Sequence, residues 1–149
     1  MRIFTPKDSF SDALTGPSIF LAGPTLRHNL KDFTPWREEA IKLFITHKFN
    51  GNIFIPEPFQ GDYAKQILWE EYHLEKCSCI LFWIPRDMQT LPGLTTNIEF
   101  GEWMKSSKVV LGFPEEAEHI SYLAYKANKY RIPIFNTLEQ TVLSARERV

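Results

Sequence analysis

The chain has 149 residues, 44% of them apolar and 23% charged, with 17 Lys plus Arg against 18 Asp plus Glu and a net charge of −1. That length suits a single domain spanning 1–149 around one core, and the near-neutral balance argues against general attraction to nucleic acid or an anionic membrane. The longest apolar run, residues 79–84, is far too short to span a bilayer. Residues 1–8 lack the apolar stretch of a secretion signal, so the expected location is cytoplasmic.

The first fifteen or so residues read as an arm or a short extra hairpin. Residues 18–22, Ser-Ile-Phe-Leu-Ala, form an apolar run ended by Gly23-Pro24 and read as the first core strand. Residues 36–48 carry Trp36, Ala40, Ile41, Leu43, Phe44 and His47 at helical spacing, with Thr34 as N-cap and Pro35 in the first helical position. A second strand, residues 52–55, ends at Pro56-Glu57-Pro58. A helix over 63–76 is expected to turn Ile67, Leu68, Tyr72 and Leu74 inward. Residues 79–84 are the third strand, 97–105 a helix and 108–113 a fourth strand. Residues 115–130 read as a helix with Ile120, Leu123, Ala124 and Ala127 inward. Residues 132–135 make an edge strand that tolerates Pro133, and 137–148 a closing helix capped by Thr137 with Gln140 three on. Strands alternating with helices imply a parallel sheet covered on both faces. The expected fold is α/β, a flavodoxin-like or Rossmann-like three-layer sandwich with a five-stranded, mainly parallel sheet.

Cys77 and Cys79 flank Ser78 where an apolar strand begins, and side chains two apart on a strand point the same way. With neither a C-x-x-C motif nor a nearby His pair, reduced and packed thiols are expected, with no metal and no cofactor. The histidines show no metal-ligand spacing; His28 lies in a candidate ligand loop, while His47, His73 and His119 read as structural or solvated.

Four places carry polar residues suited to chemistry. In the loop after the first core strand, Gly23-Pro24-Thr25, Gly23 lets the backbone turn sharply beside a ligand and Arg27 can grip an anionic or hydroxyl-rich group. The pattern is neither G-x-G-x-x-G nor a Walker loop, so no dinucleotide or nucleoside-triphosphate site is indicated. Glu57, held between two prolines, is a stiff carboxylate at the same sheet edge, although a solvated loop residue is the simpler reading. Gln66, Trp69 and Glu70 bring an amide, a ring and a carboxylate together on one helix, a set that can stack on and read a base, although a partly buried Trp beside surface acids is the simpler reading. Finally, Thr95-Thr96-Asn97-Ile98-Glu99-Phe100-Gly101 follows the most strand-like segment. On spacing alone, Thr96-x-x-Glu99 is a capping box, which would tie Glu99 to its own helix. If Thr95 is the cap instead, Glu99 sits one position further in and can project over the sheet edge, where ligands of such folds bind.

Taken in order, Phe20-Leu21-Ala22-Gly23-Pro24-Thr25, Trp36-Arg37, Pro56-Glu57-Pro58, Gln66 with Trp69-Glu70, Phe82-Trp83-Ile84-Pro85-Arg86 and Thr95-Thr96-Asn97-Ile98-Glu99-Phe100-Gly101 resemble the nucleoside 2-deoxyribosyltransferase superfamily. The resemblance implies a flavodoxin-like fold and cleavage of an N-glycosidic bond. It implies Glu99 as catalytic nucleophile, followed by Gly101, and Glu70 as the catalytic acid on the helix before the third strand. Gly23, Pro24, Thr25, Arg27, Glu57, Gln66, Trp69, Arg86, Thr95, Thr96 and Asn97 are the expected substrate-binding residues. The family's usual aspartate shortly before the nucleophile has no counterpart in residues 91–95; Asp87 is the nearest carboxylate. The expected substrate is a small nucleoside or nucleotide and the expected reaction base exchange on deoxynucleosides. The alternatives are a nucleoside 5′-monophosphate N-glycosidase that uses water and a sensor that binds without turnover. The resemblance also implies a homo-oligomer, for which Tyr122, Tyr125 and Tyr130 are candidate contacts.

Overall fold

The computed structural model describes residues 1–8, 15–26, 35–57 and 61–149. Its strands are β1 (Arg2–Phe4), β2 (Ser18–Ala22), β3 (Asn52–Phe54), β4 (Cys79–Trp83), β5 (Val109–Gly112) and β6 (Ile134–Phe135). Its helices are α1 (Trp36–Thr46), α2 (Tyr63–Lys76), α3 (Leu94–Trp103), α4 (Ser121–Lys129) and α5 (Leu138–Glu147). The strands form one sheet in the order β1-β3-β2-β4-β5-β6, and every pairing is parallel. Central strands covered on both faces need apolar residues at every position rather than at alternate ones. Accordingly, all residues of β2, β4 and β5 are buried.

The alternation along each strand splits the core into two layers. Phe20, Phe54, Phe82 and Leu111 face Trp69, Phe100, Leu123 and Ala127 of α2, α3 and α4. Ile19, Leu21, Leu81 and Val110 face Trp36, Ala40 and Phe44 of α1 and Val142 and Ala145 of α5. The result is the expected α/β three-layer sandwich.

Several local expectations are corrected. The sheet has six strands, because residues 2–4 pair in parallel with β3, Ile3 opposite Ile53, instead of forming an arm or hairpin. Residues before Ser121 precede α4 as turns, so the helix begins six residues later than its periodicity suggested. In α2 the inward residues are Trp69, His73 and Leu74, while Ile67 and Leu68 are 38% and 57% exposed. The His73 ring stacks on Trp69 and Phe54 with centroids 4.0 and 4.5 Å apart. Two rings bury more area against the sheet than the aliphatic pair could, which sets the rotation of the helix. Burial lowers the His73 pKa, so the ring is neutral and its Nδ1–H donates to the Trp69 carbonyl at 2.7 Å. Cys77 ends α2 and Cys79 opens β4, and the two belong to opposite core layers. Burial pushes their thiols up to about 11 and about 12, which makes both unreactive. The closing helix is as expected: the Thr137 hydroxyl accepts from the Gln140 amide at 3.2 Å. Thr34 lies outside the described residues; the residue observed at the N-cap of α1 is Pro35.

From β2 the chain crosses to β3 on one side, then returns past β2 to β4 on the other. The carboxyl ends of β2 and β4 therefore flank a topological switch point, where the crossovers diverge and leave a crevice.

Candidate active site

The crevice is built from three loops and two helices. At the end of β2, Gly23 has φ +152°, and a Cβ there would collide with the Trp83 carbonyl oxygen and lie 2.8 Å from the Trp36 ring. Glycine is required because the turn passes directly over the neighbouring strand end. Pro24 and Thr25 follow, and the Trp36 indole N–H fixes the Pro24 carbonyl at 2.9 Å.

Arg37, in the first turn of α1, is the residue around which the loops assemble. Its side chain is only 3% exposed. It donates to the carbonyl oxygens of Leu21 (3.1 Å), Gly23 (2.7 Å) and Pro24 (3.4 Å), to the Thr25 hydroxyl (3.2 Å) and to the Glu57 carboxylate (2.7 Å). The guanidinium also lies 4.4 Å from the centre of the Trp36 ring. One buried cation thus ties the β2 loop to the β3 loop, using the rigid fork that lysine lacks. Sequence reading quoted Arg37 only within a matching dipeptide and gave it no role. A cation in a helix's first turn, just after a loop rich in free carbonyls and with a stiff carboxylate nearby, was the available signal.

α3 settles how Glu99 is held. The helix begins at Leu94, three residues earlier than expected, and its N-cap is Gly93 in the left-handed region at φ 56°. A Cβ on Gly93 would approach the Pro24 side chain at 3.1 Å and the Thr96 hydroxyl at 3.3 Å, so the β2 loop packs directly against the start of α3. Thr95 and Thr96 are inside the first turn, no side chain caps the helix, and Glu99 falls in the second turn. The capping-box expectation is overturned: a box needs Thr96 at the N-cap, and Thr96 lies inside the helix, three residues past the observed cap at Gly93.

Glu99 is half-buried and faces α2. Burial, reinforced by the Glu70 carboxylate and more weakly by Glu102, pushes its carboxyl up to about 7, while the Arg37 charge opposes the rise. Burial raises the Glu70 carboxyl as well, against the pull of a hydrogen bond from Gln66 and the charge of Arg37. The Gln66 amide donates to Glu70 Oε1 at 2.7 Å and to the Pro56 carbonyl at 3.1 Å, so it orients the acid and anchors it to the β3 loop. Two carboxyls sharing one half-buried place titrate as a unit. The second proton to leave is held to about pH 7.

The structure thus brings together Gly23, Pro24, Thr25, Glu57, Gln66, Glu70, Thr96 and Glu99. Other expected residues are placed elsewhere. Trp69 is 2% exposed and packs in the core, so it offers no face for a base. Arg86 donates to the His119 carbonyl (3.1 Å) and to the Asn97 side chain. On a helix of 3.6 residues per turn, Asn97 is about 200° from Glu99, so Arg86 and Asn97 lie on the far side of α3. Thr95 is exposed. Asp87 accepts from the amides of Gln89 (2.9 Å) and Thr90 (2.8 Å) and from the Thr90 hydroxyl, contacts that hold its carboxyl below the usual range. It stabilises its own exposed turn. Arg27 and His28 lie outside the described residues. Among the described residues there is no group of three or more His, Cys, Asp or Glu able to hold a metal ion, and no helix long and apolar enough to cross a membrane.

The segment that carries this constellation, from β2 to just past β5, is also the segment that a family model recognises. The model described as nucleoside 2-deoxyribosyltransferase like matches residues 16–117. The chain belongs to this family. The match spans every residue gathered at the crevice, Arg37 included. No curated protein matches the chain significantly. Membership of the nucleoside 2-deoxyribosyltransferase-like family supports a general role in nucleoside glycosyl transfer with a nucleoside as the small-molecule substrate.

Proposed function

We propose that this protein cleaves the N-glycosidic bond of a deoxynucleoside and passes the deoxyribosyl group to an acceptor base, with Glu99 as nucleophile and Glu70 as acid. The observation that carries this reading is the position of Glu99, in the second turn of α3 at the switch point, free of any capping role and sharing a half-buried place with Glu70. A Glu99 oxygen bonds to the anomeric carbon as the carbon–nitrogen bond breaks, and the bonding pair leaves on the base. The base takes up a proton from Glu70, which makes it a better leaving group. In the return step a nitrogen of the acceptor base displaces Glu99 and its proton goes back to Glu70. Positive charge on the sugar ring in both transition states is balanced by the Glu99 carboxylate, as in retaining glycosidases. With Glu99 held up to about 7 and Glu70 also raised by burial, the pair carries one proton near neutrality, and the reactive form is the one with that proton on Glu70 and Glu99 ionised.

One feature favours a second reading. The first amides of α3 have no side-chain cap, and such a helix end accommodates an anion. The same pocket would then take a nucleoside 5′-monophosphate and use water as acceptor. The experiment is incubation with a panel of deoxynucleosides and deoxynucleoside monophosphates, with and without a free base, followed by chromatography. Base exchange supports the first reading, and release of deoxyribose phosphate from the monophosphates alone supports the second. Binding with no product over the whole panel removes both and leaves a sensor. Homo-oligomerisation through the exposed Ile98 and Tyr125 of α3 and α4 belongs to the same proposal, while Tyr122, equally exposed, lines a cleft between the two helices. Tyr130 is no part of the contact, because it packs against the core. Sedimentation of the wild type and of Ile98→Asp tests it: a monomer in both refutes the contact.

A further inference from the structure

On the far side of α3 from Glu99 lies a cleft of about 460 Å³ between α3 and α4. None of its lining residues belongs to the Glu99 site. Its walls are mostly apolar, with Phe100, Met104 and Leu123 among them, and its cations are Arg86 and Lys126. We propose that this cleft binds a small organic anion, a single carboxylate-like head on an apolar ring or short chain, independently of the nucleoside site.

Arg86 is the first ground. It is 4% exposed, and its Nε–H has no hydrogen-bond partner. Its other contacts are two neutral oxygens, the His119 carbonyl and the Asn97 amide oxygen. No carboxylate among the described residues forms an ion pair with it or with Lys126. A guanidinium buried without a counter-charge is costly, and an anion in the cleft removes that cost. Gly101 is the second ground. Glycine inside a helix is unfavourable, and packing does not demand it here: a Cβ on Gly101 would meet nothing within 4 Å. Its missing side chain leaves open space in the cleft wall. The volume is within the range of small-molecule sites, and Phe100, Met104 and Leu123 offer an apolar wall suited to the ring or short chain of such an anion.

The test is fluorescence titration of the intact protein with anilinonaphthalene sulfonate, an anionic aromatic probe, beside phenylnaphthylamine, the same ring system without the charge. The expected result is one saturable site per chain for the anion and binding about tenfold or more weaker for the neutral probe, the loss typical of a charge-assisted contact. Lys126→Gln should weaken the anion by a similar factor, and Gly101→Leu, which fills the cleft from an exposed position, should abolish binding. Excess deoxynucleoside should leave the signal unchanged. Equal binding of the two probes, indifference to Gly101→Leu, or displacement by a deoxynucleoside would each overturn the proposal. Because the cleft contains no residue of the Glu99 site, these outcomes are separate from success or failure of the glycosyl-transfer reading.

Discussion

Replacing Glu99 by glutamine should make the protein more stable and catalytically dead, and the gain should depend on pH. In the folded chain, burial and the Glu70 charge hold the Glu99 carboxyl up to about 7 from an ordinary value of 4.5. A folded-state pKa above the unfolded one means that the native state binds the extra proton, so stability is full below about pH 4.5 and falls until pH passes about 7. The shift corresponds to about 3 kcal/mol at 1.36 kcal/mol per unit. That figure is an upper one, because the carboxyl keeps some solvent contact. Glutamine has nearly the same shape and no proton to lose. Urea unfolding at about pH 4 should therefore find the two proteins alike, and at about pH 8.5 Glu99→Gln should be more stable by about 2–3 kcal/mol. Such a gain on removing a functional carboxylate is the usual signature of a site held at the expense of stability. A Gln variant no more stable than wild type at the higher pH, or a difference that does not change with pH, would refute the placement of Glu99 in a half-buried, like-charged pair.

Arg37→Met should destabilise the protein by about 3–5 kcal/mol in urea, because it strands the Glu57 carboxylate and removes the guanidinium from four oxygens of the β2 segment, of which the Pro24 carbonyl keeps the Trp36 N–H; a loss under about 1 kcal/mol would contradict its role as the cation holding both loops. Gln66→Leu removes the bond that lowers the Glu70 pKa, so the alkaline limb of the kcat/KM profile, where a general acid loses its proton, should move to higher pH, and an unmoved limb would detach Glu70 from the reaction. Asp87→Asn should leave kcat within about twofold, since the carboxylate serves only its own turn; a drop of about 100-fold would return it to the active site.

What could be read from the sequence was local. Residues 18–22 are a strand to the residue, because a run apolar at every position between a turn and Gly23-Pro24 admits little else. The Thr137 cap was equally plain, since donor and acceptor are three residues apart. Strand β1 was hidden by its length, three residues with only partial burial. Its existence depends on pairing with β3, some fifty residues away. Glu99 turned on one backbone angle: Gly93 adopts a left-handed conformation and starts the helix early, and no spacing rule distinguishes that from a cap at Thr95 or Thr96. The rotation of α2 was set by Trp69 and His73 packing on Phe54 rather than by the aliphatic pattern. Arg37 and Arg86 were invisible as opposites. One gathers five acceptors and the other lacks a partner for its Nε–H, and only the folded chain shows which is which.

The most direct test of Glu99 as nucleophile is to trap the glycosyl-enzyme. A deoxynucleoside carrying fluorine on the sugar carbon beside the anomeric centre slows both steps by destabilising the cationic transition state, and with a good leaving base it lets the covalent ester accumulate. Mass spectrometry of the digested protein should then find one sugar per chain on the peptide that contains Glu99, and none on the Glu99→Gln protein. Release of the base with no adduct, or an adduct on another residue, would contradict the account.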